Sequence, residues 1–209
     1  MALLINIRFY VLITSVILAS VIYFLNSNNI TNIIRYYGLL AAIYLYFALL
    51  ASPLVRVWPT FPFRALYIKA RRAIGVSAFF FAFIHGNLAF FTVVGGFDGI
   101  LKLPLEYQIG TLLGISSLLV LSLMACTSFD VIVEKLGFAR WKILHKFVYY
   151  VGIAIVIHAF LLGTHIRGLE RKTSWIFAIA VAILVLLELI RIFKFLKSKS
   201  LPSTSQPKV

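Results

Sequence analysis

The chain has 209 residues, of which 62 % are hydrophobic and only 12 % are charged, and its mean hydropathy is +1.02. A soluble domain carries about 25 % charged residues, so this composition excludes an ordinary soluble protein and indicates an integral membrane protein. The formal net charge of +14 would also suit a nucleic-acid-binding protein, but the distribution of the basic residues argues against that class.

Six apolar runs are candidates to cross a membrane, since a helix of about 17–25 apolar residues spans a bilayer. They lie at residues 9–25, 38–55, 73–94, 107–126, 143–163 and 175–190, the last being slightly short. The first run follows Arg8 but is long for the core of a cleaved secretory signal, so we interpret it as a retained anchor. We predict an all-α integral membrane protein, with a six-helix transmembrane bundle over residues 1–196 and a disordered cytoplasmic tail over 197–209.

The basic residues are spread unevenly over the predicted loops. With a cytoplasmic N-terminus, fifteen of the twenty Lys and Arg residues fall on the inner side. The five on the outer side are Arg35, Lys102, Arg167, Arg171 and Lys172. Because loops rich in Lys and Arg stay in the cytoplasm, we predict that both termini are cytoplasmic. The positive charge is then a topology signal with some attraction to anionic membrane lipid, and we expect no nucleic-acid partner.

Two of the four histidines are predicted to lie at nearly the same depth in the membrane. His85 follows Arg72, at the inner end of the third span, by about 20 Å of helix at about 1.5 Å per residue. On the fifth span, counted from Lys142, His145 lies about 4–5 Å in and His158 about 24 Å in. An ionisable residue inside a membrane is costly to place and marks a functional site by default.

A pair of imidazoles at one depth indicates a haem. Axial His ligation inside a helical bundle is a common way to hold haem iron, and small residues such as Gly86 and Ala159 let a flat macrocycle approach the backbone. The alternative is a structural role, because membrane histidines also form hydrogen bonds between helices. The matched depth strengthens the case for ligation by His85 and His158 but leaves both roles open.

Motifs for other cofactors are absent from the sequence. The lone Cys126 excludes an intrachain disulfide and any Cys-based zinc or iron–sulfur site. No glycine-rich GxGxxG phosphate loop is present. A redox protein of this sequence therefore depends on another polypeptide to oxidise NAD(P)H.

Short motifs between residues 52 and 158 match a known family. They are Pro53-Leu54, Arg71-Arg72 with Gly75 and then His85, Thr127-Ser128, Leu136-Gly137, Arg140-Trp141-Lys142, Leu144-His145, Tyr149 and His158. In these residues the chain resembles the ferric-reductase-like transmembrane family and, within it, the MsrQ group, haem-binding membrane subunits of a methionine sulfoxide reductase system. The block from Arg140 to His145, with a second histidine in the same span, is the most specific part of the match.

The resemblance implies an electron-transfer subunit of an oxidoreductase system rather than a complete enzyme. It implies b-type haem held in the inner membrane, electron entry from a cytoplasmic flavin reductase or the quinone pool, and delivery to a periplasmic, molybdopterin-containing methionine sulfoxide reductase. A generic ferric or quinone-linked haem reductase is the second hypothesis. A non-redox transporter or scaffold is the third, but the internal repeats and broken helices typical of transporters are not visible.

The number of haems, one or two, depends on His145. Family members with two haems carry two histidines on each of two helices, whereas here Arg71 or Arg72 stands level with His145. A guanidinium does not ligate iron, but it can bind a haem propionate or a flavin phosphate such as that of FMN. Thirteen residues turn an ideal helix by about 220°, so His145 and His158 share a face only if the helix deforms, for example at Gly152.

Three roles therefore stay open for His145. It ligates an inner haem, with a weak second ligand such as Met124; it contacts a flavin or quinone at the cytoplasmic mouth; or it is an ordinary interfacial histidine. His165 is expected to be an ordinary loop residue. Glu188 is expected to form a helix-surface ion pair with Arg191, three residues further on.

Overall fold

The part of the chain that the structure describes is built from α-helices. The structure is a computed structural model that describes residues 2–162 and 171–200, with side-chain surroundings for 7–162 and 175–197. The helices are α1 (Ala2–Leu25), α2 (Ile30–Val57), α3 (Arg64–Ala89), α4 (Gly96–Lys102), α5 (Leu105–Cys126), α6 (Asp130–Leu136), α7 (Phe138–Leu144), α8 (Val148–Leu162) and α9 (Arg171–Ser200). No strand occurs within these two described ranges. The predicted all-α fold is confirmed.

Six helical segments are long and apolar enough to cross a membrane. They are Ile7–Leu25, Ile30–Val57, Arg64–Val94, Leu105–Cys126, Phe138–Leu162 and Trp175–Lys197. A helix satisfies its backbone polar groups internally, which is what a lipid environment requires. The prediction of six spans is therefore confirmed, and the helices extend beyond several of the predicted apolar runs. Most of the predicted tail, residues 201–209, lies outside the described residues.

Two of the spans contain an irregular turn. The third span ends in a π-helical turn at Phe90–Val94, followed by Gly95 and Gly96 with φ of +77° and +78°, a conformation that glycine adopts without strain. In the fifth span, a 3₁₀ turn at His145–Phe147 separates α7 from α8. The helix thus deforms at His145 itself, and the expectation of a deformation at Gly152 is wrong. Gly152 lies in regular helix and allows close packing, since a Cβ there would be 3.1 Å from the Leu49 side chain.

Four helices form the centre of the bundle. Helix α2 packs on α3 and α8, and α5 packs on α8 and α3; α1 lies against α3, and α9 lies against α2. The interior of this group is filled by an apolar cluster, here called the central cluster, consisting of Leu45 and Leu49 of α2, Ala78 of α3, Leu121 of α5, and Val148 and Val151 of α8. These four helices therefore determine which polar side chains meet inside the bundle.

Candidate functional site: a pair of facing histidines

The structure brings the side chains of His85 and His158 together. His85 lies on α3 and His158 on α8. Their ring centres are 6.3 Å apart, and the ring planes are inclined by 85°. Both residues are partly buried within the bundle. The two imidazoles that sequence reasoning placed at one depth are thus direct neighbours.

Each of the two rings is held by a backbone carbonyl of another helix. Nδ1 of His85 lies 2.9 Å from the carbonyl oxygen of Ile34 on α2, and Nδ1 of His158 lies 2.8 Å from the carbonyl oxygen of Gly110 on α5. A carbonyl oxygen only accepts hydrogen bonds, so in both residues Nδ1 carries the proton and donates it. The lone pair of each ring is then on Nε2, the nitrogen left available for a metal.

This arrangement fits axial ligation of one iron by two histidines. Bonds from a metal to histidine nitrogen are about 2.0–2.1 Å long, so two opposed imidazoles on one metal have ring centres about 6 Å apart, close to the 6.3 Å observed. Histidine ligands also commonly donate their second N–H to a backbone carbonyl, as both rings do here. Among the described residues, no group of three or more His, Cys, Asp or Glu side chains comes together.

Glycines of two neighbouring helices lie directly against the rings. A Cβ added to Gly38 would be 2.8 Å from Nδ1 of His85, and one added to Gly114 would be 2.9 Å from Nδ1 of His158. Sequence reasoning missed both glycines and named Gly86 instead, whose added Cβ would meet Leu118 at 3.2 Å. One available signal was that counting along the second and fourth spans puts Gly38 and Gly114 near the predicted depth of the two histidines.

His145 is surrounded differently from the other two histidines. Its ring centre lies 4.2 Å from that of Trp141, with the planes inclined by 33°, and its Nε2 lies 3.4 Å from the hydroxyl of Thr127. The Trp141 indole N–H donates to the Thr127 carbonyl oxygen at 3.1 Å. Within the described ranges, no second histidine faces His145, and Met124 packs against the central cluster.

Arg71 and Arg72 point to different parts of the bundle. Nε of Arg71 donates to the carbonyl oxygen of Ala48 at 3.0 Å, and its Nη1 donates to the hydroxyl of Ser52 at 2.8 Å. Both acceptors belong to α2, so Arg71 ties α3 to its neighbour. Two of the N–H groups of Arg71 thus find hydrogen-bond acceptors within the protein itself.

Arg72 instead reaches the connection between α5 and α6. Its Nη1 donates to the carbonyl oxygen of Ser128 at 3.3 Å and to the carboxylate of Asp130, and its guanidinium carbon lies 5.4 Å from the ring centre of Trp141. Asp130 also pairs with Arg8 at 3.3 Å. The hydrogen bond from Arg72, and the positive charges of Arg72 and Arg8, hold the pKa of the Asp130 carboxyl below its ordinary value.

The two remaining predictions concern Glu188 and His165. Glu188 and Arg191 form the expected ion pair, with 2.5 Å between Oε1 and Nη2, which confirms that prediction. Arg191 also donates to the hydroxyl of Tyr149 at 3.1 Å. His165 lies outside the described residues.

The fold and the histidine pair define the class of this protein, a multi-pass helical membrane protein with a paired-imidazole site. The family described as "Ferric reductase like transmembrane component" matches residues 37–157, which is more than half of the chain. The match includes His85 and His145 and ends one residue before His158. The chain belongs to this family, as the motifs in its sequence predict.

Several named relatives are similar to the chain. It is 32 % identical over 118 residues to the magnetosome protein MamZ of Magnetospirillum gryphiswaldense, a match that covers 56 % of this chain and 17 % of MamZ. It is 31 % identical over 140 residues to MsrQ of Rhodospirillum rubrum, named as the heme-binding subunit of protein-methionine-sulfoxide reductase, covering 66 % of this chain and 64 % of that one. With MsrQ of Pectobacterium atrosepticum the identity is 36 % over 112 residues, covering 53 % and 55 %. The chain thus spans less than two thirds of each of these relatives.

Proposed function

We propose that this protein is a haem b electron-transfer subunit in which His85 and His158 would hold the haem iron through their Nε2 atoms. One observation carries the proposal: two imidazoles face each other at 6.3 Å, each with its Nδ1 proton donated to a carbonyl oxygen of another helix. When bound, the haem supplies a one-electron couple between ferric and ferrous iron.

The surrounding residues prepare the two rings for this role. The carbonyl oxygens of Ile34 and Gly110 keep the proton on Nδ1, and a hydrogen bond of this kind makes Nε2 a more basic ligand. Below the pair, the central cluster fills the bundle with apolar side chains. An apolar shell of this kind limits access of water, which influences the reduction potential of an iron site.

The proposal assigns one haem to the pair and a different role to His145. The contacts of His145 are the indole of Trp141 and the hydroxyl of Thr127, and neither is an iron ligand. Next to them stands the guanidinium of Arg72. Its Nη1 already donates to Asp130 and to the Ser128 carbonyl oxygen, and the further N–H groups of the guanidinium suit an anionic phosphate such as that of FMN. We infer that His145 and Arg72 form the cytoplasmic mouth through which electrons enter, with Arg71 as a structural neighbour.

The electron donor and acceptor are inferred from similarity to MsrQ. We propose that a cytoplasmic flavin reductase, or the quinone pool, reduces the protein in the inner (plasma) membrane, and that a periplasmic, molybdopterin-containing methionine sulfoxide reductase accepts the electrons. The excess of basic residues on the predicted cytoplasmic side supports this direction. Loops rich in Lys and Arg stay in the cytoplasm, so the His145 end would face inwards and the histidine pair outwards.

An absorption spectrum of the purified protein before and after dithionite tests the proposal. We expect a reduced spectrum with a sharp α-band, as for b-type haem with two histidine ligands. The pyridine haemochrome assay on the same sample should give one haem per chain. A colourless, iron-free preparation from haem-replete cells would contradict the proposal, and two haems per chain would contradict the assignment of His145.

A further inference from the structure

The two histidines rest on matching turns of two helices. The carbonyl that accepts from His85 belongs to Ile34, and the glycine under the same ring is Gly38, four residues further along α2. The carbonyl that accepts from His158 belongs to Gly110, and the glycine under that ring is Gly114, again four residues further, on α5. Residues four apart lie on one face of a helix, one turn from each other.

Each imidazole ring lies so close to its glycine that the backbone leaves no room for a Cβ. A Cβ at Gly38 would lie 2.8 Å from Nδ1 and 2.9 Å from Cε1 of His85. A Cβ at Gly114 would lie 2.9 Å from both of the same atoms of His158. These distances are shorter than van der Waals contact, so any larger residue must displace the imidazole. Gly75, on α3, differs, since a Cβ there would meet nothing within 4 Å.

We infer that Gly38 and Gly114 are positioning residues that fix the rotation of the two imidazole rings and hold them perpendicular to each other. The inference rests on the proposed function. The carbonyl fixes the direction of each Nδ1–H, and the glycine lets the Nδ1–Cε1 edge of the ring approach the helix at that hydrogen-bond distance. Together they set an angle of 85° between the ring planes through contacts with the protein alone.

The angle between the rings has a consequence for the electronic structure of a ferric haem. Each axial imidazole interacts through its π orbital with one of two iron d orbitals. Parallel rings act on the same d orbital and separate the two in energy, which gives a rhombic low-spin electron paramagnetic resonance spectrum. Perpendicular rings act on one orbital each and leave them nearly equal in energy, which gives a highly anisotropic spectrum with one dominant low-field feature. Protein groups that orient the two imidazoles therefore influence this spectrum without contacting the iron.

The test is electron paramagnetic resonance of the oxidised, haem-loaded protein and of three variants. We expect the highly anisotropic type for the native protein and for Gly75→Ala, the matched control. We expect Gly38→Ala and Gly114→Ala to retain haem but to lose the low-field feature, in favour of a rhombic or high-spin signal. Native-like spectra in both variants would overturn the inference.

The native spectrum keeps the inference falsifiable even if neither variant folds. A rhombic native spectrum would show that the rings are not held perpendicular, and it would overturn the inference while the haem proposal stands. A native protein without haem would instead contradict the proposed function itself. The two failures are therefore distinguishable in a single preparation.

Discussion

The indole ring of Trp141 covers the imidazole ring of His145, with 4.2 Å between the ring centres. The guanidinium of Arg72 lies over the same indole. These three side chains form a stack at the end of the bundle that is predicted to be cytoplasmic, between the 3₁₀ turn of the fifth span and the connection from α5 to α6. His145 lies thirteen residues before His158 in the fifth span, so most of the length of that span separates the stack from the histidine pair.

Replacing His145 should affect electron entry more than haem binding. We expect His145→Ala to slow reduction of the haem by a flavin donor several-fold and to leave most of the reduced α-band, because His145 does not contact the facing pair. Rapid-mixing absorption spectroscopy measures the rate. Reduction by dithionite, which needs no docked donor, is the control and should be unchanged. Complete loss of haem in this variant would show that His145 and the haem site are coupled or that the pairing of His85 with His158 is wrong.

Replacing either member of the pair should remove the haem. His85→Ala and His158→Ala each leave the iron with one strong axial ligand, so we expect severe loss of haem content in both purified variants. The amount is measured by pyridine haemochrome per chain. Asn87→Ala is a matched control on α3, because Asn87 donates within its own helix, to the carbonyl oxygen of Phe83 at 2.7 Å. Normal haem content in both histidine variants would contradict the assignment.

The isolated protein should not oxidise NADH or NADPH. A hydride carrier transfers two electrons, haem iron accepts one, and a flavin usually converts between them. A donor protein should therefore be required, and its docking should weaken as salt rises if Arg140, Lys142 and Lys146 attract it. The rate of haem reduction at increasing ionic strength measures this. Reduction by NADH at a comparable rate without flavin would reveal a nucleotide site, and a salt-independent rate with the donor would exclude basic docking.

Asp130 should contribute a small, pH-dependent part of the stability. Its pKa is lowered in the folded protein, chiefly by Arg72, so the contribution is fully present above the unfolded pKa, about 3.9, and is lost as the pH falls through the folded pKa. Because the side chain is 68 % exposed, we expect Asp130→Asn to cost at most about 1 kcal/mol.

The thermal unfolding midpoint in detergent checks this prediction. The midpoint of Asp130→Asn should lie slightly below that of the native protein by a constant amount between about pH 5 and pH 8, and the difference should vanish in acid. Glu134→Gln is the control, since Glu134 is exposed on the same helix and forms no ion pair with another described residue. A difference that persists unchanged below the folded pKa would contradict the electrostatic origin.

The depth of the histidines could be predicted from the sequence, whereas their supports could not. Depth depends only on the rise per residue and on the end from which a span enters, so counting along two spans of the same direction sufficed for His85 and His158. The contacts of Gly38 and Gly114 depend on how each helix is rotated about its own axis. Spans that are apolar on all sides carry little information on that rotation.

Helix ends were also set by features that hydropathy does not measure. The apolar run of the second span begins at residue 38, but α2 begins at Ile30 because the side chain of Asn29 accepts a hydrogen bond from the backbone N–H of Asn32 at 3.1 Å. Such a cap stabilises the first turn of a helix. At the 3₁₀ turn, His145 contacts Thr127, eighteen residues earlier in the chain, and no local sequence pattern records such a contact.

The central cluster determines what kind of charge can cross this protein. Between the histidine pair and the predicted inner end, it fills the bundle with aliphatic side chains, which have no hydrogen-bonding groups to carry a proton. Under the proposed function, an electron that moves outwards leaves its proton in the cytoplasm. Moving one charge across a potential of 100 mV is worth about 2.3 kcal/mol, and an inside-negative potential favours outward movement of an electron. Turnover in an energised membrane would then be driven in part by the potential, which it would dissipate.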